Sequence, residues 1–487
     1  MDSEKCILSD KKLLQRIIVA LFVLFSSIIY IESNSIIHEG DEIHSLIFST
    51  NNRNNFEDLK NAEEFIINSK DVNNLLINQK GINIEELVIS VFQNDVHPPL
   101  YYLVLHIINF FIDDIETSAY ILMTFLMITL IFFSIKYLKI SIQNALWFIV
   151  LFPNLLIIIP EIRPYFLLFV ISLCTYYFIK TDSNTNNNLL PISVLLILGV
   201  FCNYFFIFFF FSLLLNYSNW NILKNKKFFL LLVFSILVYL IVFFLVGDQL
   251  YNNSILNNPI HLVDRLTNFF IAFSSIFIPI WNIKLIGPEY FLFTLFVSGI
   301  FMFTISIFFK KRQLLKSKFQ NKDFHVFITY CAILFFLYIL GITPHYAIGG
   351  KYFILLSIPL FFMINDQNSG FIPRPLQLYL FIFFIITVFT KVYLDSNENS
   401  QLGKIINNKS NLYINKLDEF NVLRIVLEMK NDNKIIKEKN PVSNYNTKKR
   451  YLLSVKYLVK FESLKTTKKI DSLVLSNYNV TCLYLDN

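Results

Sequence analysis

The sequence predicts an all-α polytopic membrane protein of about eleven spans, with surface helices on one side and a small α/β domain at the C-terminal end. Three observations predict it. Of 487 residues, 55% are hydrophobic and 16% charged, and runs such as "FLLLVFSILVYLIVFFLVG" (229–247) and "YFLFTLFVSGIFMFTISIFF" (290–309) are long enough to cross about 30 Å of hydrocarbon. A soluble fold of this size has no interior large enough to hide so many of them. The short loops between runs alternate between basic and non-basic, and after residue 393 the long runs stop.

Taken in order, the first span covers roughly Leu13 to Ile31. No small-residue cleavage site follows it, so it reads as an anchor. Further spans fall at 118–138, 144–160, 164–180, 189–203, 204–220, 228–246, 289–309, 324–342, 352–365 and 375–393. The stretch 189–217 is nearly continuous, and one tilted helix is the alternative to its split between 203 and 204. With the N-terminus inside, the inner loops carry Lys136 and Lys139, Lys180, "KNKK" (224–227), "KKRQLLKSKFQNK" (310–322) and Arg374. Two shorter runs break this parity if either is counted alone as a crossing. "PPLYYLVLHIINFFI" (98–112) opens on a Pro pair and ends in "DDIE", and 265–283 is interrupted by Pro279. Both are expected to lie along the outer surface, apolar face down. A pair of true crossings is the alternative.

The domains that follow are a membrane domain, 1–393, whose first outer loop is 32–117, and a soluble outer domain, 394–487. Alternating pieces of the tail, "RYLLSVKYLVKF" and "SLVLSNYNVTCLYL", predict strands. The net charge of +7 does not indicate nucleic acid, because the cations sit in short loops and the tail. Of five cysteines, Cys174, Cys202 and Cys331 lie within apolar runs, and no disulfide or metal spacing emerges. The Asn-rich patches 51–55 and 184–188 read as polar loop filler.

Parity gathers four polar groups on the outer side: Asp41-Glu42 in "HEGDEIH", "NDVHPPLYY" (94–102), "PEIRPY" (160–165) and "TPHYAIGGKYF" (343–353). Each has a plain structural reading. The acid pair can be solvated, and His97 can simply precede a helix with Pro98 at its first position. Glu161 and Arg163 can form a surface pair worth under about 1 kcal/mol, and Lys351 can snorkel. Against this, Arg163 and Lys351 are cations at outer span ends, against the topological bias, and such charges tend to mark function.

"GDEIHSL", "HPPLYYLVLH", "EIRPYFLLFVIS" and "GGKYFILLSIPL", in that order, resemble the C-type glycosyltransferases of family 39, relatives of protein O-mannosyltransferases and the lipid A aminoarabinose transferase. The resemblance covers roughly residues 10–395. It implies the C-type glycosyltransferase fold and transfer of a sugar from a polyprenyl-phosphate donor to a lipid, glycan or protein acceptor outside the membrane. The family usually has Arg before the Tyr of the late motif. Lys351-Tyr352 keeps the charge but loses the two-pronged guanidinium.

The residues suit that chemistry. Glycosyl transfer passes through an oxocarbenium-like state, and a carboxylate can take the acceptor hydroxyl's proton. Asp41 is the candidate base and Glu42 its support. Arg163 and Lys351, with Tyr352, would neutralise the leaving phosphate. His97, Glu161, Tyr165 and Tyr102 are expected to touch substrate or support the site. No cofactor is required, although Asp41, Glu42, His97 and Glu161 are an alternative set for a divalent ion. His38 and His44 receive no role. The expected setting is a multi-pass protein of a bacterial inner membrane with its site facing outward. The rival is a transporter or flippase of a lipid-linked sugar, for which midplane charges and repeated halves are the usual signs.

Overall fold

The computed structural model describes residues 40–50, 65–68, 74–76, 83–94, 98–112, 114–138, 162–181, 189–217, 321–340 and 353–365. It also describes the strands of the tail, and isolated positions or short pieces elsewhere, among them Asn52, Asp58, Gly81, Lys226 and Arg265. Described residues outside the strands are mostly helical. Two compact units emerge. One comprises Met1–Ile28, Val91–Tyr101 and Met123–Val388, the other Ile29–Ser90, Tyr102–Leu122 and Phe389–Asn487.

The helices, in chain order, are α1 (Gly40–Ser49), α2 (Ile84–Asn94), α3 (Leu100–Ile112), α4 (Ile115–Lys136), α5 (Tyr165–Thr181), α6 (Leu189–Cys202), α7 (Phe206–Tyr217), α8 (Lys322–Leu340) and α9 (Ser357–Asn365). Their starts follow from capping chemistry. Asp114 opens α4, its carboxylate accepting from the Thr117 N–H at 3.4 Å and from the Thr117 hydroxyl. "DDIE" therefore begins the long helix three residues before the expected position. Asn321 opens α8 in the same way, its Oδ1 accepting the Asp323 N–H at 2.8 Å.

Among the described residues, two helices are long and apolar enough to cross a membrane: Ile115–Ser134 within α4, and α8. Of these two stretches, 33% and 39% is buried. The outward faces are as apolar as the inward ones. On α4, Ile121, Phe125, Ile128, Ile131 and Phe132 are exposed opposite buried Ala119, Leu122, Met123 and Leu126. On α8, Ile328, Phe336 and Leu340 are exposed opposite Val326, Tyr330, Leu334 and Leu337. Helices apolar all round suit lipid on the outside. The apolar α3, α5, α6 and α7 are shorter.

Within the first unit, α6 returns from the far end of α5 to its start, where the Cys202 Sγ lies 3.5 Å from the Pro164 carbonyl oxygen. The chain then turns at buried Asn203, whose side-chain oxygen accepts the Phe205 N–H at 2.9 Å. A continuing helix would need that N–H, so 189–217 is two helices rather than one. Gly199 makes the turn possible: a Cβ there would lie 2.3 Å from the Phe206 ring. α7 runs back to the far end of α5, bringing the Tyr217 and Tyr176 hydroxyls to 3.2 Å. α8 lies antiparallel to α7, with the Phe209 and Tyr330 rings 5.3 Å apart and Tyr217 bonded to Asp323.

The end of α4 joins the same level, with Phe133 and Tyr137 stacked edge-on to Tyr177 at 5.3 and 5.6 Å. Phe362 of α9 stacks on Tyr176 at 4.6 Å. One end of the bundle thus gathers Lys136, Lys180, Tyr217 and Asp323, and the other holds Pro164, Cys202 and Asn203. The described fragments of spans 144–160 and 228–246 are too short to define helices. Spans 13–31, 289–309 and 375–393, and the parity of the crossings that include them, lie outside the described residues.

The second unit contains a six-stranded sheet in the order β1-β3-β2-β4-β6-β5. β2 (Leu412–Ile414) lies parallel to both β3 (Lys434–Lys437) and β4 (Arg450–Ser454). β5 (Asp471–Leu475) and β6 (Val480–Tyr484) form an antiparallel hairpin, which joins β4 antiparallel through β6. β1 (Phe65–Asn68) comes from the first loop rather than from the tail, and pairs antiparallel with β3 in the register Ile66 to Ile436.

Candidate functional site

In the second unit, Asp41 and Glu42 occupy the first turn of α1 rather than a loop. A helix N-terminus carries partial positive charge from its unpaired N–H groups, which favours carboxylates there. Glu42 is only 8% exposed, so it is not a solvated acid. The side chain of Asp41 lies outside the described residues.

The other end of α1 is tied down in several ways. Ser45, Leu46, Ile47, Phe48, Ser49 and Thr50 are all buried. The Thr50 hydroxyl donates to the Leu75 carbonyl at 2.7 Å, and the Asn52 amide donates to the same oxygen at 3.0 Å. His106 of α3 sits 2.7 Å from the Ser49 carbonyl through Nδ1. Tyr102, one turn earlier on α3, is fully buried with its ring 5.7 Å from that of Phe48. Tyr102 therefore packs against the acid-bearing helix.

α3 has one face buried in the protein and one exposed. Tyr102, Leu105, His106 and Asn109 are buried, while Ile107, Phe110 and Phe111 are exposed on the other side, Phe111 at 76%.

In the first unit, Arg163 lies in the turn before α5 and is only 6% exposed. Its guanidinium carbon is 5.9 Å from the ring centre of Tyr165, itself buried. Cation–π attraction to the ring face offsets part of the cost of removing that charge from water. Pro164 before the first helical residue suits a helix start, where no N–H is required. Of the expected site residues, the structure brings together Arg163 and Tyr165 in one unit, and Tyr102 and the helix of Asp41 and Glu42 in the other. His97, Glu161, Lys351 and Tyr352 lie outside the described residues. Among the described residues no three metal-ligating side chains converge, and of the four expected for a divalent ion only Glu42 has a described side chain.

The sequence reading missed a buried polar cluster at the opposite end of the bundle from Arg163. Lys180 Nζ is 3.1 Å from Asp323 Oδ2, and the hydroxyls of Tyr176 and Tyr217 both donate to Oδ1. Lys180 Nζ also lies 4.6 Å from the Phe362 ring centre. Asp323 stands in the first turn of α8 and Lys180 in the last turn of α5, where each complements its helix dipole. Lys180 is therefore an ion-pair partner as well as a cation at a helix end. An acid in the first turn of an apolar helix was the available sequence signal. His106 was missed too; its signal was a polar residue one turn from Tyr102 on a largely apolar helix.

The chain matches no family model, no curated protein and no solved structure.

Proposed function

We propose that the protein transfers a sugar from a polyprenyl-phosphate donor to an acceptor on the outer face of a bacterial cell membrane, as a multi-pass enzyme of C-type glycosyltransferase architecture. Asp41 takes the acceptor proton, Glu42 supports it, and Arg163 and Lys351, with Tyr352, neutralise the phosphate that leaves. His97, Glu161 and Tyr165 line or support the donor side in this reading. A divalent ion held by carboxylates and His97 is the alternative way to neutralise the phosphate, and no step depends on it.

The observation that carries the reading is Arg163. A guanidinium only 6% exposed, at the bundle end away from the Lys180–Asp323 pair, suits a phosphate better than it suits a topology marker. Support for the membrane setting comes from the apolar outward faces of α4 and α8. The gathering of Lys136, Lys180 and Asp323 at one bundle end agrees with the basic-loop parity of the sequence.

One observation favours the carrier alternative: Asp323, buried, and Lys180, half-buried, are ionisable groups on apolar helices, as transporters often have. They sit at helix ends rather than midway, which fits an end clamp better than a transport path.

The test is to delete the gene, profile surface glycans and glycolipids by mass spectrometry, and complement with Asp41→Asn. The species lost on deletion returns with the parent chain and not with Asp41→Asn at equal membrane abundance. A general base contributes about 10²- to 10⁴-fold, so full restoration by Asp41→Asn sinks the assignment.

A further inference from the structure

His106 is fully buried on α3 and has a partner at each ring nitrogen. Nδ1 faces the Ser49 carbonyl oxygen at 2.7 Å, and Nε2 faces the Asn83 N–H at 3.4 Å. A carbonyl only accepts and a backbone N–H only donates, so the two contacts fix the tautomer: Nδ1 carries the proton and Nε2 is bare. Asn83 is in turn the cap of α2, its Oδ1 accepting the Glu86 N–H at 3.1 Å and its amide donating to the Glu86 carboxylate at 2.8 Å. One imidazole therefore joins the end of α1, the start of α2 and the middle of α3.

Only the neutral ring can do this. An imidazolium carries a proton on each nitrogen, and the second would point at the Asn83 N–H, donor against donor, at a fully buried ring. Histidine side chains change charge within the ordinary range of external pH. We propose that His106 is a positioning residue for the Asp41–Glu42 helix: the neutral ring clamps α1 in place, and protonation releases it. The positioning role rests on the transferase reading above; the clamp does not.

The sign follows from proton counts. The clamped form binds one proton fewer than the released form, so release grows as pH falls. The described titratable groups on the surrounding elements are Glu42 on α1, Glu85 and Glu86 on α2, and Tyr101 and Tyr102 on α3 itself. Glu85 is exposed, and Glu86 is held through Asn83 on the Nε2 side. Asp41 and His44 also lie on α1, with side chains outside those described.

The test is hydrogen–deuterium exchange of the full-length protein in lipid nanodiscs, corrected for intrinsic rates, between about pH 7.5 and about pH 5.5. Protection over residues 40–50 falls by about tenfold for each pH unit once the ring titrates, while residues 326–334 of α8 stay protected. His106→Gln keeps one donor and one acceptor without a titrating ring, and its protection over 40–50 stays flat with pH. A flat wild-type profile, an equal fall in His106→Gln, or a fall that includes α8 overturns the clamp. If His106→Gln is not recovered folded, His106→Asn replaces it, and the wild-type step confined to 40–50 still decides.

The positioning role is read in complemented cells, from the glycan lost on gene deletion. Its formation falls in acid medium with the parent chain and not with His106→Gln. Formation unaffected by acid while the clamp opens overturns that role. Full activity of Asp41→Asn overturns the transferase reading and leaves the exchange result standing.

Discussion

Lys180 at the end of α5 and Asp323 at the start of α8 are 3.1 Å apart, 143 residues apart in sequence, and the carboxylate is only 3% exposed. Breaking one partner of a buried pair costs about 3–5 kcal/mol, because the other charge is left without compensation. Lys180 is 24% exposed, which puts the expected loss for Asp323→Asn toward the lower end of that range. A thermal melt in detergent reads it. Lys180→Met combined with Asp323→Asn should cost less than the two single losses added. Additive losses mean that the pair does not act as a unit.

Arg163 and Lys351 are both assigned to the donor phosphate. Arg163→Ala and Lys351→Ala should raise the donor concentration needed for half-maximal transfer more than that of the acceptor. Arg163→Lys should remain impaired, since an ammonium reproduces neither the two-pronged contact nor the stacking over Tyr165. Lys351→Arg should retain transfer. Unchanged donor dependence in both alanine variants moves the phosphate role to other residues or to an ion.

β1 ties the tail to the first loop. Ile66→Pro removes a donor from that strand and strains its pairing with β3. Limited proteolysis of the full chain should then cut within 412–454, some 350 residues from the substitution, while α5 to α8 stay intact. A tail as resistant as the parent means that β2 to β6 hold without β1.

Sidedness is checked with single cysteines in a chain whose five native cysteines are replaced. Asp58 and Lys226 are both exposed. A cysteine at 58 should react with an impermeant thiol reagent in intact spheroplasts, and one at 226 only after permeabilisation. Reversed labelling removes the outer face on which the proposed function depends.

Much of the helical layout was legible in the sequence because apolar run length and basic-loop bias are local quantities. The stretches read as spans at 164–180 and 324–342 became α5 and α8 with ends shifted by one or two residues, and 98–112 proved a separate short helix. The start of α4 was misread because capping by Asp114 depends on which way one side chain turns, not on hydropathy. The ambiguity at 189–217 was settled by Asn203 and by the close approach of Phe206 to Gly199, neither of which an apolar window registers.

What the sequence by itself determined is the chemistry available: an acid pair behind the first apolar run, an Arg-Pro-Tyr turn, lysines at loop ends, and faces of α4 and α8 apolar enough for lipid. Only the tertiary structure decided which of these groups lose their water. Glu42 and Arg163 are buried although each was open to a surface reading, and Lys180 met a carboxylate 143 residues away. His106, which carried no signal beyond its polarity, became the joint of three helices. Similarly, β1 joined strands of the tail from more than 350 residues away. The physical reason is the same in each case. Hydropathy and charge bias sum over neighbours along the chain, whereas burial and hydrogen-bond pairing are set by neighbours in space.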